Sequence, residues 1–460
     1  MKDKLFSMFF FLCLVLFTAV AVKGGSNPRS YQREKTTVLA GPFESSNNSA
    51  RYALTESIVL RRSLFLDDEL ASFSSPDLSR INGRYLSIFT PGVAFLGIPF
   101  YLAGNIFGYP QVGAFLLSSL ASIINVYLIA KILIRLQIDR RIGLLCGAIF
   151  LFATNAFSYS NSFNQHHLST ALMLISILIS LSKPTAVKSI LFGFVYSLGA
   201  LIDIPNLFLL LPPLIAVLVN NIGLAGEKGN YFLKINLSLV GLVIATIPLL
   251  ILFGWYNLSV TGSVFKLGQT SGRYIYSQNK IARVLNEVEK KEKRDFHQFD
   301  TRRLLTGFTV LLISRDRGLI WYSPVLLLGL LGVYFASRRM SLATRNILLT
   351  ILLINIILYS LFNDPWGGWA FGPRYLIPSA AVLSIFLGVA VSEYPGRKIL
   401  FSISLLLLTT YSVFVNTLGA LTTQLVPSSV QLPFLSEKIY DYYKYNYTFL
   451  EKKMSSSLIY

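Results

Sequence analysis

The chain is 460 residues long, 53% hydrophobic and only 14% charged, with 41 basic against 22 acidic residues and a net charge of +19. A soluble domain carries roughly 25% charged residues, so this composition excludes an ordinary water-soluble enzyme. The basic excess sits largely in short loops, with no soluble basic domain to carry it. It therefore speaks for membrane topology and anionic lipid head groups, and against a nucleic-acid partner.

Apolar stretches of about 17–25 residues recur along the chain, the length a helix needs to cross a ~30 Å hydrocarbon core. Lipid offers no hydrogen bonds to the backbone, so these spans must be helices. The alternation expected of a transmembrane barrel is absent. Cys13 and Cys146 both fall in apolar spans, which argues against a disulfide framework or a thiolate metal site.

Lys2 and Lys4 precede an apolar run, so residues 1–24 read as a retained first helix, although Ala19-Val20-Ala21 imitates a signal-peptidase site. Residues 25–110 form a large outer loop. Within it residues 90–107, carrying Pro91, Gly92, Pro99 and Gly104 with no basic residue after them, read as a helix lying at the outer interface. Residues 111–256 hold transmembrane helices, the first ending at Arg135, Arg140 and Arg141. The positive-inside rule assigns that loop, and those of Lys183 and Lys188 and of Lys228 and Lys234, to the cytoplasm. Residues 257–317 are a second outer loop, in which the mixed charge of residues 287–303 reads as a solvated helix. Residues 318–419 are transmembrane again, with Arg338, Arg339, Arg345, Arg397 and Lys398 inside, and residues 420–460 form a polar outer tail. This gives about 11 spans by the length rule. No internal repeat is visible, which weakens a transporter built on duplicated halves.

Threaded in this way, the unusual polar clusters all fall on the outer side. In residues 51–59 the apolar positions can form one face of a short interfacial helix, with Arg51 and Glu56 toward a cleft or water. Glu56 is then either a solvated surface acid or a general base. Asp67-Asp68-Glu69 is either a solvated turn or a divalent-cation site of hard oxygen ligands. Asp77 reads as a helix cap or turn residue. His166 and His167, at the start of a span, are hydrogen-bonding residues or contacts to a phosphate or a sugar hydroxyl. Asp203 stands in an apolar setting at a span end, where a carboxylate costs much less than at mid-membrane. Arg315 and Arg317 can grip a phosphate bidentately or anchor to lipid. The run 363–375 joins three glycines, the indoles of Trp366 and Trp369, the lone cation Arg374, and Tyr375. Indoles can stack on a sugar or sit at the interface, but an ordinary aromatic belt does not explain the glycine spacing.

The chain resembles the GT-C-fold glycosyltransferases that use polyprenyl-phosphate-linked sugars, such as the aminoarabinose and protein mannosyl transferases. The similar stretches are residues 49–59, then Asn82-Gly83-Arg84-Tyr85-Leu86-Ser87 running into Pro91-Gly92 and Pro99-Phe100-Tyr101. Tyr256-Asn257 with Thr261-Gly262-Ser263, Arg317-Gly318-Leu319 with Tyr322-Ser323-Pro324, and residues 366–375 complete the set. The resemblance implies an all-α polytopic membrane protein. Its expected form is a GT-C-like bundle of about 11 transmembrane helices, with a large first outer loop carrying interfacial helices.

The implied activity is transfer of a sugar from a polyprenyl- or dolichyl-phosphate carrier to a lipid, glycan or protein acceptor on the extracytoplasmic face of the plasma membrane. Glu56 is expected to supply the acid or base, with Asp67 or Asp68 assisting it or binding a divalent cation. Asn48, Arg51, Tyr52, Arg84, His166, His167, Asp203, Arg315, Arg317, Trp366, Trp369, Arg374 and Tyr375 are expected to contact substrate. Arg51, Arg84 and Arg374 would hold phosphate, and Trp366 and Trp369 would shape the sugar pocket.

Two positions depart from the family pattern. The usual acid three residues before the matched arginine is Asn48, and a lysine common before the interfacial proline is Thr90. Two other classes therefore remain: a lipid-linked glycan flippase or transporter, and an inactive relative that binds lipid phosphate. The first predicts ionisable residues near mid-membrane. The second predicts donor binding without turnover.

Overall fold

The computed structural model describes residues 2–24, 41–225, 232–276, 299, 301–394, 398–428 and 442–451. Most of the mixed-charge run at 287–303, and the topology markers Lys228 and Arg397, lie outside those residues. The described residues form an α-helical bundle with two small β-ribbons, at Leu78–Ser87 and Ile222–Ile235. The first helix, α1 (Lys2–Val20), is followed by the loop that the charge pattern assigns to the outer face, the first outer loop, which holds α2 (Ser46–Arg61) and the short α3 (Asp68–Ser74). Strands β1 (Leu78–Ile81) and β2 (Arg84–Ser87) pair antiparallel, with Leu78 opposite Ser87. Asn82 and Gly83 both have positive φ, 48° and 81°, as the tightest two-residue hairpin turn requires.

Next come α4 (Gly92–Ile106), α5 (Pro110–Arg135), α6 (Arg140–Phe152), α7 (His166–Ser180), α8 (Ala186–Ile202) and α9 (Leu211–Asn221). The second half contains α10 (Ser238–Thr261), α11 (Leu304–Leu312), α12 (Leu327–Phe335), α13 (Leu342–Ser360), α14 (Ile377–Glu393), α15 (Lys398–Leu421) and α16 (Tyr442–Glu451). Among the described residues, five helices are long and apolar enough to cross a membrane, and six shorter apolar ones accompany them. The chain is an integral membrane protein.

The bundle is organised around α14. Every residue from Ile377 to Ala390 is buried, so this helix has no lipid face, whereas α10 keeps only 6% of its most apolar window inside the protein. A helix apolar on all sides belongs either in a protein core or in lipid; these two helices illustrate both cases.

Lipid tails are as apolar as leucine, so helix association in a membrane relies on close backbone approach. On α12, Gly329 and Gly332 provide it. A Cβ at Gly332 would lie 1.7 Å from Phe386 O, and one at Gly329 would lie 2.6 Å from Leu383 O.

The first outer loop differs from the sequence expectation in one respect. Its helix α2 is not a surface helix with one apolar face: Asn48 to Ser57 are all buried, including Arg51, Thr55 and Glu56. The loop folds back over the helix ends, so α2 packs on α3 and α4. The C-terminal segment also returns to this end. Glu44 accepts from Thr423 Oγ1 at 2.5 Å and from the Gln424 amide at 2.6 Å, and pairs with Lys23 at 3.6 Å.

The obstacle facing Gly332 is backbone and cannot rotate away. Gly332→Ala should therefore destabilise the detergent-solubilised protein by about 1–3 kcal/mol or more. Leu330→Ala, on the exposed side of the same helix, should leave the thermal midpoint nearly unchanged. Equal midpoints for the two variants would contradict this packing.

Candidate active site

The ends of α7, α8, α13 and α14 meet under the first outer loop, and the polar groups gathered there come from distant parts of the chain. Arg51, at 1% exposure, lies in the middle of α2, three residues after Asn48 and four before Thr55, so the three share a helical face. Its guanidinium rests on the Phe89 ring, 3.9 Å from the centroid, a favourable cation–π contact. Nη2 donates to Gln165 Oε1 at 2.8 Å. Nε and Nη1 are buried with no partner among the described residues.

Burial pushes this guanidinium down to about 10, against the opposing pull of Asp203 and then Asp77, while Arg374 adds repulsion. Arg374 lies within electrostatic reach of Arg51, while its own charge, opposed by burial, is favoured by Tyr375, Tyr159 and Asp364.

Arg374 opens the turn that leads into α14, and its Nε is likewise buried and unpartnered among the described residues. Gly367 adopts φ 71°, and a Cβ there would come within 3.0 Å of Arg374 Nε and 3.3 Å of Tyr375. The loop glycine therefore lets backbone lie directly on the cation. Tyr375 stacks on Tyr359 at the end of α13, with ring centroids 4.4 Å apart and planes 4° off parallel. His166 fits between Tyr159 and Tyr375, at 5.3 Å and 6.4 Å between centroids. Tyr159 OH in turn accepts the Phe371 amide at 3.1 Å.

Asp203 caps the C-terminus of α8 and is 8% exposed. Burial raises its carboxyl to about 6, against the opposing influence of Arg51, side-chain hydrogen bonding from Gln165 and the Ile204 amide. The approach of α4 to α8 sets its position. Thr90 Oγ1 donates to Ile202 O at 2.7 Å, and a Cβ on Gly92 would lie 2.5 Å from the Leu201 carbonyl group. Thr90 thus ties the first loop to the segment bearing Asp203.

The other expected residues take different positions. Glu56 is buried and pairs with Arg61 at 3.5 Å. Arg61 also pairs with Asp67 at 2.5 Å and Glu69 at 3.3 Å. Asp67 caps α3 by accepting the Leu70 amide at 2.9 Å, and Asp68 accepts Tyr276 OH at 3.1 Å. Glu56, Asp67 and Glu69 thus cluster around Arg61, whereas Asp203 and Asp77 act most on Arg51. Among the described residues, no three His, Cys, Asp or Glu side chains gather as a metal site. Arg84 is exposed on β2, over the Phe65 ring at 5.0 Å. Tyr52 is buried among Phe43, Tyr101 and Phe163.

His167 ties α7 to its neighbours. Its Nε2 lies 2.7 Å from Ala156 O, and its own carbonyl accepts Asn125 Nδ2 at 3.0 Å. Arg317, with no exposure at all, donates to Trp366 O at 3.0 Å, Asp316 O at 2.8 Å, Gly368 O at 3.1 Å and Val426 O at 2.6 Å. It clamps the tryptophan–glycine loop to the C-terminal segment. Arg315 is exposed, near the Trp321 ring at 5.9 Å. Trp366 and Trp369 are half-buried in the loop that Arg317 holds.

Sequence reasoning passed over Gln165 and took Asp77 for a cap or turn. Asp77 accepts Ser46 Oγ at 2.7 Å and pairs with Arg273 at 3.5 Å. Gln165 directly precedes His166 and His167, which was the available signal. For Asp77 only the hairpin fold reveals its nearness to Arg51.

Without Arg317 the Trp366 and Gly368 carbonyls lose the donor that fastens this loop to the C-terminal segment. Arg317→Ala should therefore cost about 3–5 kcal/mol, the range for breaking a buried charged network, with faster proteolysis in residues 363–373. Arg315→Ala should stay within about 0.5 kcal/mol of wild type, as surface changes do. Similar unfolding curves for the two variants would remove Arg317 from this structural role.

No protein-family model matches the chain, and no curated protein matches it either. Among solved structures, the apo aminoarabinose transferase ArnT from Cupriavidus metallidurans is similar at 11% identity and a TM-score of 0.51, over 91% of this chain and 70% of that one. The archaeal oligosaccharyltransferase AglB from Archaeoglobus fulgidus, in complex with an inhibitory peptide and a dolichol-phosphate, gives 13% identity and a TM-score of 0.48 over 100% of this chain and 60% of that one. ArnT bound to undecaprenyl phosphate gives 12% identity and a TM-score of 0.46 over 87% of this chain and 63% of that one. The chain has the GT-C fold.

Proposed function

We propose that this protein transfers a sugar from a polyprenyl- or dolichyl-phosphate carrier to an acceptor at the outer face of the membrane. The observation that carries this reading is the pair of buried arginines, Arg51 and Arg374. They share one electrostatic environment, and each keeps a guanidinium N–H without a protein partner among the described residues. Two cations in a low-dielectric place repel one another, and a departing phosphate relieves both the repulsion and the unpaired donors. The same donors stabilise negative charge as it develops on the leaving oxygen, usually the largest catalytic contribution such sites make.

The rest of the cluster suits a sugar. Tyr375 and His166 offer flat or polar edges beside Arg374, and Trp366 and Trp369 flank the same loop. The GT-C fold supports the transferase class over a transporter. So does the position of the ionisable residues, at helix ends rather than at mid-membrane. In this reading the active end faces outward, as the distribution of Lys and Arg among the short loops implies.

The test is sugar transfer by purified protein supplied with a panel of radiolabelled prenyl-phosphate sugars and membrane extract. Arg51→Ala and Arg374→Ala should each lower transfer about 10²–10³-fold, the cost of losing an oxyanion-type donor. Each should also weaken binding of undecaprenyl phosphate. Arg51→Lys should not restore wild-type rates, because an ammonium lacks the planar fork. Wild-type-like transfer by the two alanine variants would overturn the assignment.

A further inference from the structure

We propose that Asp203 is the general base of the reaction, with Gln165 as its positioning residue, in place of the acid that Asn48 lacks. The inference rests on the transferase reading above and identifies its proton acceptor.

Asparagine cannot take a proton from an acceptor hydroxyl, so a chain with Asn48 needs a carboxylate from elsewhere within reach of the phosphate-binding arginines. Of the acids acting on Arg51, Asp203 acts most strongly and Asp77 next. Asp77 is already engaged by Ser46 and Arg273. Glu56 and Asp67 are held by Arg61. Asp203 is buried at the end of α8 on a backbone fixed by the Thr90–Ile202 hydrogen bond and by the close approach at Gly92.

Gln165 links the two partners. Its Oε1 accepts Arg51 Nη2 at 2.8 Å, and its amide hydrogen-bonds toward the Asp203 carboxyl. Acid and guanidinium are thus held in register through an intervening amide. A base must stand close to the phosphate site without being neutralised in a tight ion pair, and this linkage meets both needs.

In the reaction, the Asp203 carboxylate takes the proton of the acceptor hydroxyl. The freed oxygen lone pair forms the new bond to the anomeric carbon. The bond from that carbon to the phosphate oxygen breaks, and its electron pair leaves with the prenyl phosphate, held by Arg51 and Arg374. Asp203 then gives the proton to water.

The charged and titratable groups facing Asp203 are Arg51 from α2 and Tyr359 from α13. Burial keeps the carboxyl near 6 despite Arg51. The base form therefore grows as pH rises through that value, and the transfer rate should rise with it and level off above neutrality.

The experiment measures transfer and undecaprenyl-phosphate binding side by side, from pH 5 to 8, with the full-length protein. Asp203→Asn should lose about 10²–10⁴-fold in kcat, the usual worth of a general base, while still binding the carrier lipid. Its residual rate should no longer rise through pH 6. Asp203→Glu should recover part of the rate and the pH dependence, which a merely structural role would not give. Gln165→Ala should lower kcat and shift the pH midpoint while leaving KM for the carrier within a few fold.

Wild-type activity and an unchanged pH profile in Asp203→Asn would overturn the proposal and leave the transferase reading intact. Loss of lipid binding together with transfer in both Asp203 variants would make Asp203 structural and also overturn it. Absence of transfer by the wild-type protein across the whole panel would overturn both readings.

Discussion

The guanidinium of Arg51 is the charge around which one end of the bundle is organised. Taking such a group out of water costs several kcal/mol even after relaxation, so the surrounding chain must compensate for it. Phe89 beneath it, Gln165 beside it and the Asp203 and Asp77 carboxyls nearby all do so. These four come from the first outer loop, the start of α7 and the end of α8. Their convergence requires the loop to fold down onto the helix ends, and close contacts at Gly92 and Thr90 help hold it in place.

Arg51 and Arg317 differ in how far the protein itself satisfies a buried charge. Both are fully buried arginines in polar stretches that the sequence marks as candidates. Arg317 spends its guanidinium on four backbone carbonyls and joins the loop at 366–368 to the C-terminal segment. A buried polar group satisfied in this way gives rigidity. Arg51 donates once and keeps two nitrogens unpartnered among the described residues. Buried donors left unmade are expensive, and proteins retain such costs chiefly where a ligand offsets them.

The helical scaffold keeps this arrangement rigid. The central helix α14 is buried from Ile377 to Ala390, and Arg374 stands in the turn just before its first residue. The aromatic layer of Tyr159, His166, Tyr359 and Tyr375 packs around that end. Precise placement matters because a reacting geometry tolerates little displacement. The peripheral helix α10, turned almost wholly outward, has no such demand on it.

Several features follow from the sequence by itself. Apolar runs in a chain with few charges dictate helices, because lipid provides no other partner for the backbone. The polar clusters at helix ends, and Asn82-Gly83 as a tight turn, are legible because they depend on neighbours only a few residues away. The pairing of partners was not legible. Glu56 and Arg51 stand five residues apart on one helix and look alike as candidates, yet one meets Arg61 and the other meets Gln165. Asp77 resembled a local cap, and Arg317 resembled a phosphate ligand. Which carboxylate faces which cation depends on how the outer loop folds over the bundle. That fold is decided by steric contacts between segments more than a hundred residues apart, such as Thr90 with Ile202, and hydrophobic periodicity carries no record of them.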